Sequence, residues 1–299
     1  MHPRRLLVLA ASLLAALTVA VLAPVDARAQ QAPLPPGLTA LDAPEGRRLL
    51  VTSDANADFF RLANHWVSQQ HGAYCGVASA VMVLNAMQLA APAVPAWAPY
   101  NTFTQDNVFD PATLRVLSPG SVTRGGMSID QLGQLLASHG AGARVVHASD
   151  ATLDMFRGQA SENLAEPGNY VLVNYDRAGV GQETMGHISP LGAYNAAADR
   201  FLIMDVARYK YPGVWVAAVD LWRAMRTTDP STDRSRGYVL ISSTPGSRPV
   251  VGPPARTRLP RFVLVVLAGT FAGGFLLGAL VTALWARRSR RRAARVNPT

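Results

Sequence analysis

The chain has 299 residues, with 28 Lys or Arg against 19 Asp or Glu and a formal net charge of +9. The positive excess lies at the two ends, because residues 30–255 contain sixteen basic and eighteen acidic side chains. A slightly acidic central part argues against nucleic-acid binding, and a single cysteine excludes an internal disulfide framework. This part has the length of one domain with one sizeable core.

Both ends of the chain have the pattern of sorting segments. The apolar run 6–25 follows two arginines and precedes an A-x-A site ending at Ala29, which predicts a signal peptide over residues 1–29. An uncleaved anchor is the alternative. Residues 262–286 carry no charge and predict a transmembrane helix, and the basic tail 287–299 follows. By the positive-inside rule we expect a single-pass protein of the bacterial inner membrane with a periplasmic domain and a cytoplasmic tail.

Between these segments, the pattern predicts an extended, proline-rich lead-in over residues 30–46 and a folded domain over 47–243. The predicted helices are 59–66, 76–89, 128–138, 153–164 and 217–225. The predicted strands are 143–147, 170–175, 186–194, 200–206 and 237–242. Helices followed by a mostly antiparallel sheet indicate an α+β domain. Residues 244–261 predict a proline-rich stalk.

Glycines in the predicted membrane helix have small-xxx-small spacing, for example Gly269 and Gly273. Such spacing lets two membrane helices approach closely, which is one route to a homodimer. The other interpretation is that glycine is simply tolerated in a lipid-facing helix.

The single cysteine lies directly before the apolar run 76–89, which places it in the first turn of the helix predicted there. A thiol in the first turn of a helix is favoured as thiolate by unpaired backbone N–H groups and by the helix dipole, so Cys75 is a candidate nucleophile. Gln69, six residues upstream, carries an amide that can stabilise the oxyanion of a thiol attack on a carbonyl. The alternative is that Cys75 is a small buried hydrophobe.

The predicted hairpin 186–206 carries an imidazole and a carboxylate. In an antiparallel hairpin, the numbers of any two facing residues add up to a constant, which is about 392–394 for a loop centred near residues 196 and 197. The numbers of His187 and Asp205 add up to 392, so we expect these two residues to face each other. We expect His187 to take the thiol proton and later give it to the leaving amine. Asp205 would fix the tautomer of the imidazole and stabilise the imidazolium.

Three alternatives to this role are open at this point. His187 can be a structural histidine bonded to a neighbouring strand. Asp205 can be a strand-end carboxylate paired with Arg208 or Lys210. Cys75 can bind zinc together with His187 and Asp205, although no two of them have the close spacing usual in structural zinc sites.

Three motifs occur in order along the chain: AYCG at 73–76 with VLNA at 83–86, GHISPLGAYN at 186–195 and DVARYKYP at 205–212. Together they resemble the phytochelatin synthase family over about residues 45–243. The resemblance implies a papain-like fold. It also implies site residues. They are Cys75 as nucleophile, His187 as base, Asp205 as orienting acid, Gln69 at the oxyanion, and Tyr74, Arg208, Asp229 and Arg236 as substrate contacts.

Asp229 and Arg236 are suited to binding a γ-glutamyl group. An aspartate can pair with the ammonium of this group, and an arginine can bind the carboxylate of the group with two hydrogen bonds. The alternative is that Asp229 and Arg236 are ordinary surface charges.

The resemblance further implies that glutathione is the donor. Cys75 would release glycine and hold γ-glutamylcysteine as a thioester, and a second glutathione or water would then accept the acyl group. The sequence departs from the plant members, because it lacks their cysteine-rich C-terminal region and so has no thiol cluster for sensing metals. The resemblance to short bacterial-type members implies that hydrolysis dominates. We expect no obligatory cofactor, and heavy-metal ions would act as metal–glutathione thiolates. The alternatives are a leader peptidase and an inactive membrane-tethered module that binds thiols or metal through Cys75.

Overall fold

The structure, a computed structural model, describes residues 31–243. The strands are β1 Thr39–Ala40, β2 Ala141–His147, β3 Tyr170–Asp176, β4 Gly186–Asn195, β5 Arg200–Ile203, β6 Val214–Ala217, β7 Thr228–Asp229, β8 Arg234–Ser235 and β9 Gly237–Ser243. The α-helices are α1 Pro44–Val51, α2 Phe59–Ala63, α3 Cys75–Ala86, α4 Pro119–Gly125, α5 Ile129–Ser138, α6 Leu153–Ala165 and α7 Ala218–Met225.

Seven of the strands form one antiparallel sheet in the order β1-β6-β5-β4-β3-β9-β2. The strands β7 and β8 pair with each other in a separate hairpin. Helices combined with an antiparallel sheet confirm the predicted α+β class.

The sheet is buried on both faces, because alternate residues of its strands enter two different cores. In β3, Tyr170 and Leu172 belong to the core that includes α3 and α5, whereas Val171 and Val173 belong to the core that includes α6 and α7. Burial on both faces explains why β3 is a continuous apolar run rather than an alternating one.

The ends of several elements follow local sequence signals. Ser128 accepts a hydrogen bond from the backbone N–H of Gln131, and the Gln131 side chain accepts one from the Ser128 N–H, so the capping box predicted for α5 is present. The helix α3 is buried on nearly every side, from Gly76 to Leu84 without interruption. This agrees with its lack of an amphipathic pattern.

The prediction of an extended lead-in up to residue 46 was wrong. The strand β1 pairs with β6, and α1 begins at Pro44, so the domain includes these residues. Proline suits the first turn of a helix, where its missing N–H would have no partner. Pro44 therefore starts a helix instead of excluding one.

Several predicted segments lie outside the described residues. They are the signal peptide 1–29, the stalk 244–261, the transmembrane helix 262–286 and the basic tail 287–299. Within residues 31–243, none of the helices has the length and apolarity that crossing a bilayer requires.

We expect Gly46→Ala to destabilise the domain, because α1 packs closely on the end of β1. A Cβ on Gly46 would lie 1.9 Å from the carbonyl oxygen of Ala40, a backbone atom that cannot rotate away. The expected loss is about 1–3 kcal/mol in the free energy of unfolding, although alanine is the better helix former.

Gly158→Ala in α6 is the matched control, since no atom lies within 4 Å of the Cβ position of Gly158. Here we expect a gain of about 0.5–1 kcal/mol. Urea unfolding measures both changes, and equal stability of the two variants would show that α1 is not packed as described.

Candidate active site

Cys75 is the first residue of α3, and no side chain caps this end of the helix. The residue is partly exposed, and its thiol is free of any disulfide. Because the backbone N–H groups of a first helical turn have no partner within the helix, they are available to a negative charge at this position.

Close packing holds the start of α3 against β4. The Ser79 hydroxyl, one turn after Cys75, donates a hydrogen bond of 3.1 Å to the carbonyl oxygen of Ile188. A Cβ on Gly76 would lie 2.5 Å from Sδ of Met127 and 3.2 Å from Cδ1 of Ile188, so a side chain at residue 76 would push the helix away. The start of α3 is thus fixed beside Ile188, the residue that follows His187.

The imidazole of His187 is 2 % exposed. Its Nε2 lies 3.0 Å from Oδ1 of Asp205 and 2.9 Å from Oγ of Ser189. Since Nε2 faces these two oxygens, Nδ1 is the ring nitrogen left for the thiol of Cys75. The ring also packs against that of Tyr175 in a T-shaped arrangement, with 5.8 Å between ring centroids.

The predicted register of the hairpin was wrong, although the two side chains do meet. The residue opposite His187 is Tyr175 of β3, and β5 ends at Ile203, two residues before Asp205. The pairing of β4 with β5 shifts by one residue at Gly192. Asp205 therefore reaches the imidazole from the segment after the strand, not as a cross-strand neighbour.

Arg177, which the sequence analysis missed, is the second charged partner of Asp205. It is 1 % exposed, its Nη2 donates to Asp205 Oδ1 at 2.9 Å, and its Nη1 lies 2.8 Å from Oδ2 as an ion pair. This pairing replaces the alternative in which Asp205 pairs with Arg208 or Lys210. The two residues are 28 positions apart and Arg177 lies in none of the three motifs, so their spacing gives no signal.

The electrostatic environment of the three side chains favours a charged pair. Burial raises the pKa of the Cys75 thiol, but His187 and the backbone N–H groups of Ile188 and Gly76 outweigh it and lower that pKa. Burial lowers the pKa of His187, and Asp205 more than reverses this change. Burial raises the pKa of Asp205, yet His187 and Arg177 hold it far below its usual range. Both changes act toward a thiolate beside an imidazolium, and the two groups titrate as a pair.

Gln69 is 6 % exposed and lies in the loop before Cys75. Its amide nitrogen donates to the carbonyl oxygens of His71 at 2.9 Å and Gly72 at 2.8 Å. Both of its N–H groups are therefore in use, and a hydrogen bond to an oxyanion would require one of them to be released. The oxyanion role of Gln69 stays a prediction.

A cleft of about 310 Å³ opens at Cys75 and His187, and Asp229 and Arg236 also line it. The guanidinium of Arg236 donates to Oδ1 of Asn174 at 3.2 Å and lies 3.8 Å from Oδ2 of Asp229. Gly186 allows this approach, because a Cβ there would lie 2.6 Å from Nη1 of Arg236. The cleft that contains the thiol therefore also contains a carboxylate, that of Asp229, next to a guanidinium, that of Arg236.

The other two predicted substrate contacts do not line this cleft. The ring of Tyr74 packs on His71 and Phe109. Arg208 lies over the ring of Trp66 at 4.9 Å, in a larger pocket of about 540 Å³ that does not include Cys75. The larger pocket is thus separate from the thiol chemistry.

Within residues 31–243, no three His, Cys, Asp or Glu side chains are grouped so that they could hold a metal ion. Cys75, His187 and Asp205 are therefore not arranged as zinc ligands in this part of the chain. The arrangement is instead that of a cysteine–histidine–carboxylate triad at the end of a helix, as in enzymes with a thiol nucleophile.

Comparison with known proteins gives the family. A family model described as phytochelatin synthase matches residues 29–238 of this chain. The protein therefore belongs to the phytochelatin synthase family.

Individual relatives are also similar to this chain. Glutathione gamma-glutamylcysteinyltransferase 3 of Lotus japonicus is 32 % identical over 214 residues, which are 70 % of this chain and 43 % of that protein. Glutathione gamma-glutamylcysteinyltransferase 1 of Arabidopsis thaliana is 36 % identical over 185 residues, 62 % of this chain and 37 % of the relative. Glutathione gamma-glutamylcysteinyltransferase of Schizosaccharomyces pombe is 27 % identical over 186 residues, which are 62 % of this chain and 43 % of that protein. The matched part is less than half of each relative.

We expect Arg177→Gln to destabilise the domain strongly, because it leaves the buried carboxylate of Asp205 without its guanidinium partner. Removing one member of a buried ion pair costs about 3–5 kcal/mol. Arg157→Gln is the matched control: its pair with Asp199 is 28 % and 41 % exposed, so the same substitution should cost about 1 kcal/mol or less. Urea unfolding at neutral pH measures both, and equal losses would contradict a special role for Arg177.

Proposed function

We propose that this protein is a thiol acyltransferase and hydrolase that acts on glutathione. The observation that carries the proposal is the contact of Cys75, at the start of α3, with the buried pair of His187 and Asp205 in a cleft that also holds Asp229 and Arg236. The names of the relatives support glutathione as the donor.

In the first half of the reaction, the thiolate of Cys75 attacks the carbonyl carbon between the cysteine and glycine residues of glutathione. His187 has taken the thiol proton, and the hydrogen bond of 3.0 Å to Asp205 keeps the imidazolium oriented. When the tetrahedral intermediate collapses, the C–N bond breaks and His187 gives its proton to the leaving amine of glycine. The product is a γ-glutamylcysteinyl thioester on Cys75.

Backbone N–H groups at the start of α3 are the first candidates for the oxyanion hole, since they lie beside the sulfur. Gln69 would add a side-chain donor if its amide left the carbonyl of His71 or Gly72. That loop is held close to the triad, because the backbone N–H of Gln69 donates to the carbonyl oxygen of Val206 at 2.9 Å.

Asp229 and Arg236 would bind the γ-glutamyl group of the substrate. Asp229 would pair with the ammonium of that group, and Arg236 with its carboxylate. Oδ1 of Asp229 accepts two hydrogen bonds from Ser231, which leaves Oδ2 on the side of Arg236. Arg236 is anchored by Thr227 and Asn174. We do not assign Tyr74 or Arg208 to substrate binding, because neither lines the cleft.

We further propose a papain-like fold, in which a helix bearing the cysteine packs against an antiparallel sheet bearing the histidine. In the second half of the reaction, water or a second glutathione attacks the thioester and restores Cys75. With one cysteine in the chain, metal ions would act as metal–glutathione thiolates rather than through a thiol cluster, and no resident cofactor is required.

Hydrolysis is expected to exceed transfer. Mass spectrometry of the products formed from glutathione should show γ-glutamylcysteine and glycine in excess over phytochelatins. Cadmium-stimulated phytochelatin formation that is much faster than glycine release without an acceptor would overturn this expectation.

We propose from the sequence of the two ends that the protein is exported and held in the bacterial inner membrane by residues 262–286, with the active site in the periplasm. The glycine spacing of that segment also fits a homodimer. Fusions of a reporter to residue 299 should be active in the cytoplasm, and reporter activity outside the cell would contradict this topology.

We expect a bell-shaped pH dependence of kcat/KM for glycine release. Activity is lost at low pH when the thiolate is protonated and at high pH when the imidazolium of the pair is deprotonated. Since the carboxylate of Asp205 is what raises the pKa of His187 against the effect of burial, Asp205→Asn should move the alkaline limb to lower pH. It should also lower the maximal rate.

Asp199→Asn is the control for this experiment, because Asp199 pairs with Arg157 away from the cleft and should leave the profile unchanged. An alkaline limb that stays in place in Asp205→Asn would show that Asp205 does not act on His187 in solution.

A further inference from the structure

The helical side of the cleft carries a second arginine. Arg124 lies in the last turn of α4 and lines the same cleft as Cys75. After the helix, Gly126 turns the chain with φ +72°, and Met127 packs over Gly76, next to the cysteine. Arg124 is therefore brought to the edge of the cleft by a segment that is fixed against the start of α3.

The two arginines of the cleft differ in what they bind. Arg236 is 8 % exposed, and its guanidinium is already engaged by Thr227, Asn174 and Asp229. The side chain of Arg124 is exposed, and within residues 31–243 its guanidinium forms no hydrogen bond or ion pair. A cation at the end of a helix is favourable in itself, but that effect leaves all five N–H donors of this guanidinium free for a ligand.

The charges of glutathione exceed what Asp229 and Arg236 can match. The tripeptide has one ammonium and two carboxylates, and the proposed function uses the ammonium and the first carboxylate on the sheet side of the cleft. The second carboxylate belongs to the glycine residue, beyond the bond that Cys75 attacks. Because the thiol and the imidazole meet between the helical and the sheet sides, a substrate held by Arg236 at one end would extend its other end toward the helical side.

We propose that Arg124 binds the glycine carboxylate of the tripeptide donor, and so selects donors with a free C-terminus next to the attacked bond. This inference rests on the proposed function and adds a recognition residue to it. A guanidinium is well suited to the task, because it can hold a carboxylate with two charge-assisted hydrogen bonds.

The role has a kinetic signature. Glycine leaves when the thioester forms, so Arg124 contacts the substrate before that step and has no ligand during hydrolysis of the thioester. Loss of Arg124 should therefore lower kcat/KM, which reports on acylation, while the rate of thioester hydrolysis stays unchanged.

The test compares two donors, glutathione and its glycine ethyl ester, which lacks the second negative charge. For the wild type we expect kcat/KM for release of the glycyl product to be about tenfold higher with glutathione, the size of one charge-assisted contact that is partly exposed. Arg124→Gln should lose about tenfold with glutathione and little with the ester, so that the preference disappears. Arg124→Lys should retain part of it.

Arg115→Gln is the matched control, since Arg115 donates to the carbonyl oxygen of Pro111 and does not line the cleft. It should keep the wild-type preference. Equal kcat/KM values for the two donors in the wild type, or an equal loss for both donors in Arg124→Gln, would overturn the role of Arg124. Neither result removes the proposed function, which is tested separately by whether the wild type releases glycine from glutathione.

Discussion

Burial of the Asp205 carboxylate is the constraint on which the site depends. A charge with 0 % exposure is costly unless it is fully paired, and here it contacts the imidazole of His187, the guanidinium of Arg177 and the backbone N–H of Ala207. The same segment holds the loop before the cysteine. The carbonyl oxygen of Asp205 accepts a hydrogen bond of 3.0 Å from the indole of Trp66, and that of Val206 accepts one from the backbone of Gln69. One stretch of chain therefore orients the imidazole and positions the approach to the thiol.

The other half of the geometry comes from packing. Because α3 is buried on nearly every side, it cannot rotate or slide without disturbing a core that includes the sheet. Gly76 and Ser79 bring its first turn against Ile188, and this contact sets the position of the sulfur relative to the ring of His187. The thiol and the imidazole thus belong to different layers of the fold, and each is fixed by its own layer. A low pKa for the thiol and a raised pKa for the imidazole follow from that fixed proximity.

The sequence predicted best those features that depend on neighbouring residues. The helix that begins at Cys75, the capping box of Ser128 and the strand Tyr170–Asp176 follow from local pattern, and motif order brought together the cysteine, the histidine and the aspartate. The hairpin register could not be predicted, because one bulge at Gly192 shifts the pairing and no local rule fixes where a bulge falls. Arg177 was missed because its partner is set by tertiary structure alone. The same is true of the separation of Arg208 from the cleft, although it follows Asp205 by only three residues.

The covalent state of Cys75 tests the account most directly. The protein should be mixed with glutathione, quenched in acid within the first turnovers and weighed intact by mass spectrometry, with Cys75→Ala treated in parallel. We predict that the wild type carries one γ-glutamylcysteinyl group, that alkaline hydroxylamine removes it, and that the variant carries none. A wild-type protein that releases glycine without ever carrying this group, or a Cys75→Ala protein that acquires it, would contradict the assignment of Cys75 as the nucleophile.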